Sequence, residues 1–177
     1  EAVGAQIDLA QFAMPGFKGL MVYTLVGIAA TVIMQSSHAT LILTLAALAA
    51  GQVTYENALA LAIGSNVGTT VTAVLGALSA SVSGRQLAAA HFIFNLITGA
   101  IAIIFLPQLA AVVDWTAEMI GLAEDNYTLK FAIFHTLFNL VGVAVMLPLL
   151  ALEIVLAVGV FGLRRPFQML DRLFMTA

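Results

Sequence analysis

The chain has 177 residues, of which 62% are hydrophobic and 8% are charged, whereas about a quarter of the residues in an ordinary soluble domain are charged. So few charges exclude a disordered chain, a nucleic-acid binder and a typical soluble enzyme. The lack of cysteine excludes thiolate zinc sites and iron–sulfur clusters. Long runs of Leu, Ala, Ile and Val, in place of the alternating pattern of an outer-membrane barrel, predict an all-α, polytopic helical membrane protein.

The first apolar runs are too short to cross a bilayer, which takes about 20 residues of helix. Residues 19–34 end at the polar cluster QSSH, residues 35–38, and a second short apolar run follows it. Irregular backbone at membrane depth must be buried in protein or line a watery cavity. We therefore predict a re-entrant hairpin over residues 19–50, with its tip at the polar cluster.

The next apolar region, residues 57–80, is interrupted by the segment GSNVGTT at residues 64–70. This pattern predicts a broken transmembrane helix that is unwound at the interruption. Two uninterrupted spans follow at residues 86–106 and 129–148, and an acidic loop that opens at Pro107 separates them.

The basic residues indicate the orientation of the chain. One face of the predicted spans holds Arg85 and the arginines at residues 164–172, and the positive-inside rule makes that face cytoplasmic. The other face holds Lys18, Lys130 and most of the acids. The chain is predicted to divide into a linker from an upstream repeat at residues 1–16, a membrane repeat at residues 17–163 and a cytoplasmic tail at residues 164–177. The last part of the membrane repeat, residues 149–163, is predicted to be an extension that is kinked at Pro148.

The two polar segments have the composition of a site for small ions. Where a helix begins, free N–H groups and the positive end of its dipole attract anions, and where a helix ends, free carbonyls suit a cation such as sodium. Ser and Thr hydroxyls serve either role. The alternative is that residues 35–38 and 64–70 are small helix-packing residues of the kind common in membranes.

The pattern H-x-x-F-N occurs twice, once from His91 to Asn95 and once from His135 to Asn139. His and Asn four residues apart share one face of a helix, and polar faces within lipid are expected to point into protein. Hydrogen bonding between helices is the favoured role for the histidines. For the asparagines, contact with the ion or substrate region stays equally open. No spacing of His and acidic residues indicates a transition-metal site.

Together these motifs resemble the sodium/phosphate cotransporter family, whose members carry Q-S-S-[S], then G-[AS]-N-[IV]-G-T-[TS], then H-x-x-F-N. The matching segments here begin at Gln35, Gly64 and His91, and the copy at His135 resembles the second repeat of bacterial members.

Two residues depart from the family pattern. His38 stands where a third Ser is usual, and Ser65 stands where Ala is common. A bulky, titratable imidazole at the hairpin tip is expected to alter ion coordination or to add pH sensitivity.

The resemblance implies sodium-coupled symport of inorganic phosphate, with this chain supplying the C-terminal one of two inverted repeats that meet at the membrane midplane. It implies no enzyme activity, and no cofactor apart from sodium as the coupling ion. The implied phosphate ligands are Gln35, Ser36, Ser37, Asn66, Gly68, Thr69 and Thr70; the implied sodium ligands are Ser37, Thr40, Gly64, Ser65, Asn66 and Thr69; the supporting residues are His38, His91, Asn95, His135 and Asn139.

The expected partners are inorganic phosphate, sodium, the lipid bilayer and the other inverted repeat, supplied by the same longer chain or by a second copy in a homodimer. No nucleic acid is expected, and the expected location is the inner (plasma) membrane. Two alternatives stay open: a non-transporting assembly or regulatory module, and a transporter of another oxyanion. A first residue other than Met favours a fragment of a longer chain.

Overall fold

The computed structural model describes residues 16–161, with side chains up to residue 148. Every regular element in this part of the chain is helical, which confirms the all-α prediction. The predictions for the linker before residue 16 and for the tail at residues 164–177 lie outside the described residues. The helices are α1 (Gly16–Met34), α2 (Ser37–Ala49), α3 (Tyr55–Gly76, followed by a 3-10 turn at Ala77–Ser79), α4 (Val82–Ile104), α5 (Leu106–Met119) and α6 (Tyr127–Phe161).

Four of the described helices, α1, α3, α4 and α6, are long and apolar enough to cross a membrane. Large apolar side chains, including Leu25, Ile93 and Leu140, are exposed on the outside of the bundle. A bilayer accommodates such a surface, whereas water does not. The 13 residues of α2 make it too short to cross.

Helix α3 forms the centre of the bundle. Every residue from Asn57 to Ser65 is buried, and the helix packs against α1, α2, α4 and α6. Thr54 caps its start, since the hydroxyl oxygen accepts a hydrogen bond from the Asn57 N–H at 3.2 Å. The position of α3 therefore sets the position of every group that the surrounding helices present to it.

The prediction that this helix unwinds at residues 64–70 is wrong, because α3 is continuous over its whole length. The glycines of the segment allow α1 to approach instead. A Cβ on Gly64 would collide with the carbonyl oxygen of Thr24, and one on Gly68 would lie 2.8 Å from Thr31 Cβ. These small residues thus provide the close helix contact that membrane proteins commonly use.

Helices α1 and α2 form a hairpin whose turn is at residues 35–36. Gly27 of α1 lies against Leu61 of α3, and Thr31 lies against Gly68, so later residues of α1 face later residues of α3. The two helices therefore run in the same direction, and α2 returns toward the start of α3. The re-entrant character of this hairpin stays a prediction.

The acidic stretch that we predicted as a loop contains a helix, α5. Pro107 lies in its first turn, where a missing N–H removes no helical hydrogen bond. The buried face of α5 includes Leu109 and Val113. Asp114 on this helix pairs with Lys130 near the start of α6, at 2.9 Å between Oδ1 and Nζ. Helix α6 continues past Pro148.

Candidate functional site

A polar cavity of about 220 Å³ lies where the hairpin turn meets α3. The turn and the start of α2 supply most of the lining, and α1 and α3 supply the rest. The cavity therefore joins the QSSH cluster to part of the GSNVGTT segment. Its lining residues are Thr31, Gln35, Ser36, Ser37, His38, Thr69 and Thr72.

The hairpin turn is shaped by two backbone conformations. Gln35 adopts φ 51°, in the left-handed region, and Ser36 is extended, with φ −154°. The Ser36 hydroxyl accepts a hydrogen bond from Ala39 N–H at 3.2 Å, which caps α2. The N–H groups of Ser37 and His38 come before the first hydrogen bonds of the helix. The positive end of the α2 dipole lies there as well, so the turn suits an anion.

Hydrogen bonds of buried threonine hydroxyls connect the hairpin turn to α1 and α2. Thr40 donates to the Ser36 carbonyl at 3.2 Å, so its oxygen accepts from the Thr31 hydroxyl 2.8 Å away. Thr44 donates to the Thr40 carbonyl at 2.8 Å. Thr40, a predicted sodium ligand, is 3% exposed and lies beneath the cavity instead of lining it.

Helix α3 contributes two hydroxyls to the cavity. Thr69 donates to the Ser65 carbonyl at 2.9 Å, and Thr72 donates to the Thr69 carbonyl at 2.6 Å. Each hydroxyl donates its one hydrogen to a backbone carbonyl, so toward the cavity its oxygen can act only as an acceptor. An acceptor oxygen suits a cation. Within the described residues, no three His, Asp or Glu side chains are arranged to hold a metal ion.

The other predicted residues of the GSNVGTT segment do not line the cavity. Gly64 and Gly68 face α1. Ser65 and Thr70 are fully buried, and each hydroxyl donates to a carbonyl three residues earlier in α3. Asn66 is half-buried, and its Nδ2 donates to a side chain of α6. Of the predicted ligands and supporting residues, the structure thus brings Gln35, Ser36, Ser37, His38 and Thr69 together around the cavity. The residues of the segment that stay outside the lining are Gly64, Ser65, Asn66, Gly68 and Thr70.

The side chain that Asn66 contacts is Asn139, from the second H-x-x-F-N motif. Asn66 Nδ2 lies 3.1 Å from Asn139 Oδ1, and Asn139 Nδ2 lies 2.7 Å from the His135 carbonyl oxygen. In the first motif, Asn95 Nδ2 donates to the His91 carbonyl at 3.0 Å. Only the second motif connects to the GSNVGTT segment among the described hydrogen bonds.

Thr31 and Thr72 line the cavity although the sequence reasoning did not select them. Thr31 lies in the last turn of α1, four residues before Gln35, and Thr72 follows Thr69 by three residues and so shares a face of α3 with that predicted ligand. Extending each polar segment by one helical turn would have found both.

Residues 9–133 match the family model described as Na+/Pi-cotransporter. This chain belongs to the Na+/Pi-cotransporter family. The match covers more than half of the chain and includes both polar segments and the first H-x-x-F-N motif. It confirms the family resemblance. With the four apolar helices, it supports the predicted multi-pass protein of the inner membrane.

Relatives of this family member are longer proteins. "Uncharacterized protein YqeW" of Bacillus subtilis is 32% identical over 125 residues, which are 71% of this chain and 38% of that protein. "Putative inorganic phosphate export protein YjbB" of Escherichia coli K12 is 30% identical over 148 residues, 84% of this chain and 25% of that protein.

A human relative also matches. "Sodium-dependent phosphate transport protein 2B" is 42% identical over 76 residues, which are 41% of this chain and 11% of that protein. The chain therefore spans well under half of the length of each of these relatives. No solved structure matches it.

Proposed function

We propose that this chain supplies one repeat of a site for sodium-coupled symport of inorganic phosphate. The observation that carries the proposal is a polar cavity in which residues of the QSSH cluster and of the GSNVGTT segment meet. The names of the relatives support the substrate and the ion, because one specifies phosphate export and another specifies sodium-dependent phosphate transport.

The start of α2 supplies the anion side of the site. Phosphate oxygens accept hydrogen bonds from the N–H groups of Ser37 and His38 and from the serine hydroxyls of the turn, where the helix dipole favours negative charge. Gln35 adds an exposed amide beside them.

The hydroxyl oxygens of α3 supply the cation side, at Thr69 and Thr72. The described cavity lining contains no Lys, Arg, Asp or Glu. Phosphate and sodium must therefore offset each other's charge, because an isolated charge is costly at membrane depth. Binding of one ion then raises the affinity for the other, which is the physical basis of coupling.

The second inverted repeat is proposed to complete the site from the open side of the cavity. Gln35 and His38 are exposed at the surface of the described bundle, and uncovered polar groups are unfavourable in lipid. A second repeat from the same longer chain, or a second copy in a homodimer, would cover them.

The direction of net flux follows from the ion gradients and not from the site itself, since a symporter carries both solutes either way. The relative named for phosphate export makes both directions worth measuring. The experiment is therefore phosphate flux in proteoliposomes that contain the full-length protein, with the sodium gradient applied in each direction. Flux that requires sodium is expected, and potassium should not replace it.

The alternatives have distinct outcomes in the same assay. A folded protein that moves no phosphate in either direction would favour the non-transporting module. Stronger inhibition of flux by sulfate or arsenate than by unlabelled phosphate would favour another oxyanion as the substrate.

The substitution Ser37→Ala tests the anion side directly. It removes one hydroxyl from the start of α2, so the apparent phosphate KM should rise by about 3- to 10-fold, the effect of one lost hydrogen bond. Ser83→Ala is the matched control, since Ser83 is exposed in the first turn of α4 and is not among the described cavity-lining residues. Equal phosphate KM values for the two variants would contradict the site.

A further inference from the structure

The asparagines of the two H-x-x-F-N motifs make different hydrogen bonds. Asn95 is 6% exposed, and its described side-chain hydrogen bond stays within α4. Asn139 makes the equivalent bond within α6 and also accepts from Asn66 of α3. Among the described hydrogen bonds, the asparagine of the α4 motif thus bonds within its own helix, whereas that of the α6 motif also bonds to the GSNVGTT segment of α3.

The backbone carbonyl of His135 determines the orientation of both amides. A carbonyl oxygen can only accept, so the end of Asn139 that lies 2.7 Å from it must be the NH₂ group. Asn139 Oδ1 then lies at the other end of the amide, and it accepts from the NH₂ group of Asn66 at 3.1 Å. Reversing either amide alone would place two donors or two acceptors face to face.

In this orientation the bond to Asn139 uses the Nδ2 end of Asn66 and leaves its carbonyl oxygen unused, although Asn66 is half-buried and outside the described cavity lining. Such an oxygen offers lone pairs to a hard cation and repels the oxygens of phosphate. Thr69 follows Asn66 by three residues, so the two share a face of α3. Thr69 also presents an acceptor oxygen to the cavity.

We propose that Asn139 is a positioning residue, which holds Asn66 so that its Oδ1 serves sodium and not phosphate. This inference rests on the proposed function and sharpens it, because the sequence assigned Asn66 to both ions. Asn139 itself touches neither ion and acts through Asn66.

The primary test measures the sodium half-saturation of phosphate flux for Asn139→Leu in the full-length protein, at saturating phosphate. The half-saturation concentration should rise by about 3- to 10-fold, because Asn66 loses the bond that orients it. At saturating sodium, the phosphate KM should stay within about 2-fold of the unmodified protein, since the anion side is untouched. Asn95→Leu is the matched control and should leave the sodium half-saturation unchanged while lowering thermal stability.

A second measurement does not depend on transport. Sodium alone, without phosphate, should raise the Tm of the purified protein, and this rise should shrink in Asn139→Leu but not in Asn95→Leu. If Asn139→Leu does not fold, Asn139→Ala replaces it with a smaller side chain. The double variant with Asn66→Ala should shift sodium half-saturation no further than Asn66→Ala alone, because both changes remove the same contribution.

The possible failures are separable. If phosphate flux in the unmodified protein does not depend on sodium, the proposed function itself fails. If flux depends on sodium but Asn139→Leu and Asn139→Ala keep normal sodium half-saturation, only the positioning role is overturned. The positioning role is also overturned if Asn139→Leu raises the phosphate KM at saturating sodium as much as it raises the sodium half-saturation concentration, since that pattern indicates a general structural defect.

Discussion

At the scale of single residues, the hydrogen bond between Thr31 and Thr40 fastens the hairpin turn beneath the cavity. Thr31→Val keeps the shape of the side chain but removes the hydroxyl that donates to Thr40. The free energy of unfolding in detergent should fall by about 1 kcal/mol, because the buried Thr40 oxygen loses a donor. Thr136→Val is the control, because Thr136 is exposed and its described hydrogen bond, to the Ala132 carbonyl, lies within α6. Equal losses of unfolding free energy in both variants would show that the hydrogen bond between Thr31 and Thr40 adds no stability.

Also at this scale, the sequence indicated which residues of the QSSH cluster line the cavity, but not which residues of the GSNVGTT segment do. Residues 35–38 stand between two apolar runs, so their polar groups had to gather at a turn, and they do. In the GSNVGTT segment, polarity alone could not tell which side chains face the cavity. Ser65 and Thr70 satisfy their hydroxyls inside α3, while Thr69 faces the cavity. That choice depends on the rotation of α3, which its packing against α1 sets.

At the scale of helices, the contact between α1 and α3 depends on glycine. In Gly64→Ala the added methyl group meets the rigid backbone of Thr24, so the helices must separate, at a cost of about 1–3 kcal/mol in the free energy of unfolding. Gly76→Ala is the control on the same helix, because nothing lies within 4 Å of its added Cβ. It should be neutral or stabilising by up to about 1 kcal/mol, since Ala favours the helix. A Gly64→Ala protein as stable as Gly76→Ala would contradict the close packing.

The same helices show why segment lengths alone gave a wrong prediction for α3. A polar segment within an apolar run suggests unwinding only if its polar groups lack partners. Hydroxyls at Ser65, Thr69 and Thr70 find them in the carbonyls of their own helix. The prediction of a loop for the acidic stretch after Pro107 was also wrong, because this stretch contains α5. Its apolar residues, such as Leu109 and Val113, repeat at helical spacing and bury one face of α5.

At the scale of the whole molecule, contacts between helix ends agree with the distribution of charge. The rings of Tyr55, at the start of α3, and Tyr127, at the start of α6, have centroids 5.4 Å apart. The pair of Asp114 and Lys130 lies at the start of α6 as well. Arg85 lies in the first turn of α4, which follows the far end of α3. The described helices thus separate Arg85 from the acidic segment, as the charge pattern required.

The absolute orientation of this arrangement can be measured with single cysteines, because the chain contains none of its own. Ser83 and Ala123 are exposed at opposite ends of the bundle, near Arg85 and near the acidic segment. In sealed right-side-out vesicles, an impermeant maleimide should label Ala123→Cys, and it should label Ser83→Cys only after permeabilisation, because the positive-inside rule predicts that the end with Arg85 is cytoplasmic. The opposite pattern would overturn that orientation. Equal labelling of both would mean that copies insert both ways, so that a second copy in the opposite orientation could complete the site.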